Sequence, residues 1–327
     1  MLCYNILLPA LNLDIGLLIA LYMRCNYLIK LIILAIISTH SWVQAAPRVV
    51  VSIPPLHSLV SSLMEGVGEP ELLLPAGSSP HRYAMKPSAI RSLRKADLVI
   101  SIGPEYETFL SKTLASLPNP EVVVSLANTA HTHRLPTREG GVWRVGNENE
   151  HSIHSKKWDM HLWLDVENAS HWIDVIAAKL VSIDPTHVRL YRLNAGELLQ
   201  RLRLLDEEIR RKLEPVRAKP YLVFHDAYQY FEKRYGLNPV GAISAATARA
   251  PGAKRLSEIR RLVSRGRAHC LFSEPQFEPH LIRTLADGQE LRVGLLDPLG
   301  ARLKPGKDQY FKLLHSMADS LSNCLTG

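Results

Sequence analysis

Four residues in a chain of alternating strands and helices are candidates to bind a ligand. They are His225 at the end of "YLVFH", Asp297 at the end of "RVGLLD", His81 in the small-residue turn "AGSSPHRY" and His161 at the head of "HLWLD". Neutral imidazole is a nitrogen donor of borderline softness, so three histidines and one oxygen make a tetrahedral site suited to Zn²⁺. A manganese or iron site would draw on more carboxylates and a higher coordination number. Taken alone, His81 reads better as a solvated loop histidine, or as a local cap for the helix expected from Pro87, than as a ligand. What raises it is position: in open α/β sheets, ligands bind beyond the carboxyl ends of the strands, where His81, His225 and Asp297 all fall. His161 precedes its apolar run, so only a loop arriving at the same crevice would bring it in.

A second group of histidines lies in "HTHRLPTREGGVWRVGNENEHSIHSKKWDMH", which carries His131, His133, His151 and His154 among Gly, Pro, Asn and charged residues with no sustained apolar period. The segment is expected to be a flexible loop, residues 128–160, with a metal-capturing composition. Its histidines have no fixed coordination spacing, and an ordinary solvated loop would look the same. Of the remaining histidines, His57 is expected at a helix start beyond "SIPP". His171, His187, His280 and His315 are expected on helices, and His269 at a strand start.

The elements that must position these side chains are legible as short apolar runs. "RVVVSI", "ELLLP", "ADLVISIG", "EVVVSL" and "MHLWLD" occupy the first half, and "YLVFH", "VGAIS", "HCLFSE" and "RVGLLD" the second. Helical segments separate them. This alternation predicts βαβ units and an α/β fold with a parallel sheet in each half. Between the halves, apolar residues recur at spacings of three and four, through Val188, Tyr191, Ala195, Leu198, Leu202, Leu205, Ile209 and Leu213, after an Asp184–Pro185 start signal. The pattern predicts one long linking helix over 184–214, weakened by about 1 kcal/mol at Gly196. A hairpin of two shorter helices broken near Gly196 fits the same residues. The expected domains are an N-terminal lobe over 46–183, the helix, and a C-terminal lobe over 215–327.

With 327 residues, 46% hydrophobic and 21% charged, the chain can bury two sizeable cores. The net charge of +8 is scattered along helical faces, with no aromatic-interleaved basic motif, which argues against nucleic acid as a partner. Lys30, the apolar run "LIILAII" and the small residues Val43 and Ala45 compose a secretory signal peptide over 1–45, cleaved after Ala45. A start at Met23 would place Arg24 and Lys30 in a proper basic lead, making residues 1–22 an over-long start. Export would leave two cysteines, Cys270 and Cys324, an even pair that reads as one disulfide in an oxidising compartment. No H-E-x-x-H or G-x-S-x-G motif is present, and "GARLKPGKD" lacks P-loop spacing. Asp226 and Glu274 could act as a base beside a three-histidine zinc ion in a hydrolase, or as hydrogen-bond partners that orient the histidines.

"LLLPAGSSPHRYAMKPSAIRSLRKADLVISIGPEYETFL", "DMHLWLD", "YLVFHDAYQYFEKRYGL", "LFSEPQFEP" and "VGLLDPLG", in this order, resemble the cluster A-I substrate-binding proteins of metal ABC transporters, in their ZnuA-like zinc-uptake branch. The resemblance runs from about Arg48 to Gly327. It implies two pseudo-symmetric α/β lobes joined by one rigid helix, and a monomeric, non-enzymatic carrier in the Gram-negative periplasm. Such a carrier holds Zn²⁺ between its lobes and delivers it to separate permease and ATPase subunits. Carried over residue by residue, the ligands are His81, His161 and His225. Many relatives have an acidic residue before the first histidine; here Pro80 stands there, leaving water or Asp297 as the fourth ligand. Manganese-binding relatives carry a carboxylate in place of His225. The Cys270–Cys324 pair and the His-bearing loop also match features of Gram-negative members.

Overall fold

The computed structural model describes residues 22–24, 26–27, 45–75, 77–80, 83–138, 143, 158–244, 252–275 and 280–327. By internal contacts the chain divides into Met1–Ala45 and Ala46–Gly327. None of the described helices is long and apolar enough to cross a membrane.

The first sheet of the larger unit comprises β1 (Val49–Val51), β2 (Glu71–Leu72), β3 (Leu98–Ser101) and β4 (Val123–Ser125), all parallel in the order β2-β1-β3-β4. Helices α1 (Pro54–Leu63), α2 (Pro87–Lys95) and the short α3 (Ser111–Ala115) are interleaved with it. The first two begin with proline, whose fixed φ suits the opening turn and whose missing N–H has no helical partner there in any case. The second sheet repeats the plan, with β5 (Pro220–His225), β6 (Asn238–Ser244), β7 (Cys270–Ser273) and β8 (Arg292–Leu295) parallel in the order β6-β5-β7-β8. The two orders are equivalent, which makes the halves pseudo-symmetric.

One expected strand is absent. "LWL" is a turn of 3₁₀ helix, Leu162–Leu164, and not an edge of the first sheet. All three side chains are fully buried. Asp165 then caps α4 (Val166–Ile183) by accepting from Glu167 N–H at 3.0 Å. Three buried apolar residues in a row have no period, so a strand and a helix lead-in look alike in sequence.

Between the sheets, a 3₁₀ turn at Pro185–His187 leads into α5 (Val188–Leu213), which continues unbroken through Gly196. Its 26 residues extend about 39 Å. Tyr191, Ala195, Leu198, Leu202, Leu205, Ile209 and Leu213 form its buried stripe and join one core with residues of both sheets. The C-terminal half continues through α6 (Gln229–Tyr235), α7 (Ala253–Ser264), α8 (His280–Ala286) and α9 (Gln309–Thr326).

Further ties cross between the halves. Tyr310 N–H donates to Ser58 Oγ at 2.9 Å, Trp163 Nε1–H to the Pro298 carbonyl at 2.7 Å, and Tyr310 Oη–H to the Trp163 carbonyl at 2.8 Å. The helix and these buried hydrogen bonds connect the two halves. At the C-terminus, Cys270 on β7 and Cys324 on α9 form a disulfide across a sequence separation of 54.

A buried carboxyl pins the strand ends of the first sheet. Glu107 accepts from Ser52 Oγ at 2.5 Å, from Ile102 N–H at 2.9 Å and from Gly103 N–H at 2.8 Å. Burial pushes its pKa up to about 7, against the lowering effect of those hydrogen bonds. Because the folded value lies above the unfolded one, its contribution to stability is complete below the unfolded pKa and is lost as pH rises through about 7. In urea titrations, the stability advantage of the parent over Glu107→Gln is expected to shrink by roughly 2 kcal/mol between pH 5 and 7.5. An advantage independent of pH would show that Glu107 is ionised throughout that range.

Candidate metal centre

His225 is the last residue of β5, and Glu274 directly follows β7, the neighbouring strand. Adjacent strand ends place the two side chains side by side, with His225 Nδ1 2.5 Å from Glu274 Oε1. Both are buried, at 5% and 4% exposure. Burial disfavours the imidazolium strongly, but the charge and hydrogen bond of Glu274 outweigh it and raise the His225 pKa.

His161 reaches the same place from the opening of the 3₁₀ turn. Asp159, two residues earlier, accepts from the His161 backbone N–H at 3.0 Å and lies 2.8 Å from its Nδ1. Both histidines therefore have a carboxylate on Nδ1, which holds the proton there and directs the Nε2 lone pair outward. The two Nε2 atoms face one another at 3.4 Å. Zn–N bonds of about 2.05 Å at a tetrahedral angle place two ligand nitrogens roughly 3.3–3.4 Å apart, so the separation fits one shared zinc ion. Aromatic rings wall the pair: Tyr106 and Trp163 lie 5.6 and 5.4 Å from His161, and Tyr228 lies 6.3 Å from His225, between ring centroids.

His81 lies outside the described residues, as do His151 and His154. Among the described residues, no three His, Cys, Asp or Glu side chains gather into one metal-binding group. Asp297, just beyond β8, accepts from Leu299 N–H at 3.1 Å and Gly300 N–H at 2.9 Å through Oδ1, and from Ala301 N–H at 2.6 Å through Oδ2. Both of its oxygens thus shape the 297–301 turn, whose Pro298 carbonyl accepts from Trp163, two residues after His161.

The His-bearing loop requires a correction, since its first part is fixed. His133 N–H donates to Asn168 Oδ1 at 2.8 Å, and Asn168 Nδ2 returns a bond to the His133 carbonyl at 3.0 Å. His131 has a positive φ of 65° and its ring lies 5.9 Å from that of His171 on α4. Loop composition concealed this because the partners belong to a helix 35 residues away in sequence.

Of the two carboxylates that could act as a base or orient a histidine, Glu274 lies on His225 Nδ1, whereas Asp226 pairs with Arg138. The residue missed was Asp159. Its signal was an acid two positions before a histidine in "DMH", the spacing that lets one carboxylate oxygen take both the backbone N–H and the ring N–H.

The known proteins similar to this chain point the same way. The model of the family ZnuA, zinc-uptake complex component A, periplasmic, matches residues 49–324. The chain belongs to this family. The high-affinity zinc uptake system protein ZnuA of Brucella suis is 39% identical over 305 residues, covering 85% of this chain and 91% of the relative. Among solved structures, a crystal structure of ZnuA aligns with a TM-score of 0.71 at 24% identity, over 86% of this chain and 99% of that one. The periplasmic zinc-binding protein TroA of Treponema pallidum aligns with a TM-score of 0.73 at 23% identity, over 85% of this chain and 99% of its own. At such identities the structural likeness speaks for the two-lobed α/β fold.

Proposed function

We propose that this chain is an exported carrier that captures one Zn²⁺ between its two lobes and delivers it to the membrane permease of a zinc ABC transporter. The observation that carries the reading is the pair of buried imidazoles, Nε2 to Nε2 at 3.4 Å, each backed by a carboxylate on Nδ1. His161 and His225 are two ligands and His81 is the third, with water or Asp297 completing the tetrahedron. The high-affinity zinc uptake named for the Brucella relative supports zinc as the cargo.

The reading as a hydrolase is disfavoured by the same geometry. A zinc hydrolase needs a base facing the metal-bound water. Asp226 is bound to the Arg138 guanidinium and Glu274 to His225 Nδ1, so both candidate bases serve other groups. Permease and ATPase are separate chains on this reading, and the carrier works as a monomer.

Export is supported by the basic lead, apolar run and Val43–Ala45 cleavage signal, and the chain's division after Ala45 coincides with that signal. N-terminal sequencing of protein recovered from the periplasm is expected to read Ala-Pro-Arg from Ala46. Recovery of a chain that retains Lys30 would indicate an uncleaved anchor instead.

The function itself is tested by metal analysis of the protein as purified from the periplasm, followed by competition with a chromophoric zinc chelator. One zinc per chain, held against the chelator, is expected. Selective retention of manganese or iron would overturn the assignment of zinc, and turnover of esters or CO₂ by the zinc-loaded protein would overturn that of a carrier.

A further inference from the structure

Two stretches of chain, an outgoing arm at Leu135–Pro136 and a returning arm at Trp158–Asp159, pair into a fixed stem just ahead of His161. Pro136 and Trp158 form an antiparallel bridge, and Asp159 N–H donates to the Leu135 carbonyl at 2.9 Å. This stem is fastened to the other half of the molecule. Leu135 N–H donates to Tyr230 Oη at 2.9 Å, and Tyr230 Oη–H donates to the Asp159 carbonyl at 2.7 Å.

On the outgoing arm lies Arg138. Its Nε donates to both carboxylate oxygens of Asp226 at 3.0 Å, and its Nη2 donates to Asp226 Oδ1 and, at 2.7 Å, to Glu232 Oε2. The guanidinium stacks over the Trp143 ring, 3.7 Å from its centroid. Side-chain exposures are 17% for Arg138, 16% for Asp226 and 3% for Glu232, so solvent screens this cluster little. A fork held by two carboxylates and an aromatic face has one geometry available to it.

Each arm of the stem ends beside a histidine. The returning arm delivers Asp159, which fixes His161 through two hydrogen bonds. The outgoing arm delivers Arg138 to Asp226, the residue after His225. We infer that Arg138 is a positioning residue for metal retention: its hold on Asp226 locks the stem carrying His161 onto the strand end carrying His225, and so sets how slowly the cation leaves. The inference rests on the zinc reading above and adds to it a residue that touches neither the metal nor a histidine ring.

The sign of the effect separates positioning from charge alone. An arginine near a cation site repels the cation, so a purely electrostatic role means that removing it slows release. Positioning means the opposite. The probe is zinc itself, with the rate of transfer from loaded protein to excess chromophoric chelator followed by stopped flow. Arg138→Met is expected to release zinc roughly tenfold faster or more, the range typical when a group supporting a metal ligand is removed. Arg138→Lys, which retains the charge but not the fork, should recover only a small part of the slow release.

Because Arg138→Met leaves two buried acids without their counter-charge, the double variant Arg138→Met with Asp226→Asn removes one of them together with the arginine and lessens the cost, while Glu232 keeps the hydrogen bond it accepts from Tyr221 Oη at 3.1 Å. The double variant should release zinc as fast as the single variant and no faster, the non-additivity expected of two residues acting through one contact. Parent-like or slower release from the folded double variant, as checked by its thermal melt, overturns the inference. A parent that takes up no zinc would overturn the zinc reading and this inference with it; a parent that binds zinc while the variants release it unchanged overturns this inference alone.

Discussion

Replacing His225 with alanine is expected to weaken zinc binding by about a hundredfold or more, because it removes one imidazole from a site with at most four ligands. It also strands Glu274, whose Oε1 lies 2.5 Å from His225 Nδ1 in a buried position. His161→Ala removes the facing nitrogen and should do the same, leaving Asp159 without its ring partner. His81→Ala should match them if that residue is the third ligand. His131→Ala and His151→Ala should change affinity at this site little, since His131 lies against His171 on α4 and not with the buried pair. Asp297→Ala decides the fourth position. Its oxygens serve the 299–301 backbone, so a loss confined to stability leaves that place to water, whereas a large loss of zinc affinity makes it a ligand. Isothermal titration of each variant provides the comparison. Zinc binding by His225→Ala at parental affinity would remove that residue from the ligand set.

Cys324→Ser is expected to have the largest effect on stability. The disulfide closes a separation of 54 residues between β7 and α9, and on the chain-entropy account its loss costs roughly 4 kcal/mol. It should leave one-to-one zinc binding intact, because Cys270 lies at the start of β7 and the site at strand ends. The unfolding midpoint in guanidinium should fall for the variant relative to the parent without reductant, and should fall equally for the parent when reductant is added. A parent that yields two reactive thiols when unfolded without reductant would show that the bond is not formed in solution.

The contrast between what was legible in sequence and what was not has a physical pattern. The strands ending in His225 and Ser273 read clearly because parallel strands buried on both faces are continuous apolar runs bounded by turn residues. The long helix was legible because its buried positions, Tyr191 to Leu213, keep the helical period through most of its 26 residues. "HLWLD" misled because three consecutive buried residues carry no period, and only Asp165 as a cap for α4 reveals what they lead into. Glu274 was legible only as one of two carboxylates that could act as a base or orient a histidine; the pairing of β5 with β7, whose ends lie side by side, is what gives it to His225. The pairing of Asp226 was not legible, because its partner Arg138 lies 88 residues away in a segment whose composition looks like free loop. Elements written by sequence period could be anticipated, and pairings written by tertiary closure could not.

The most direct test of the central claim is zinc K-edge X-ray absorption on the one-to-one complex of the mature protein. A four-coordinate first shell at about 2.0 Å with three imidazoles and one oxygen is expected, dropping to two imidazoles in His161→Ala and in His225→Ala loaded at excess zinc. A parental shell of sulfur, or of five or six oxygens with one imidazole or none, would contradict the claim.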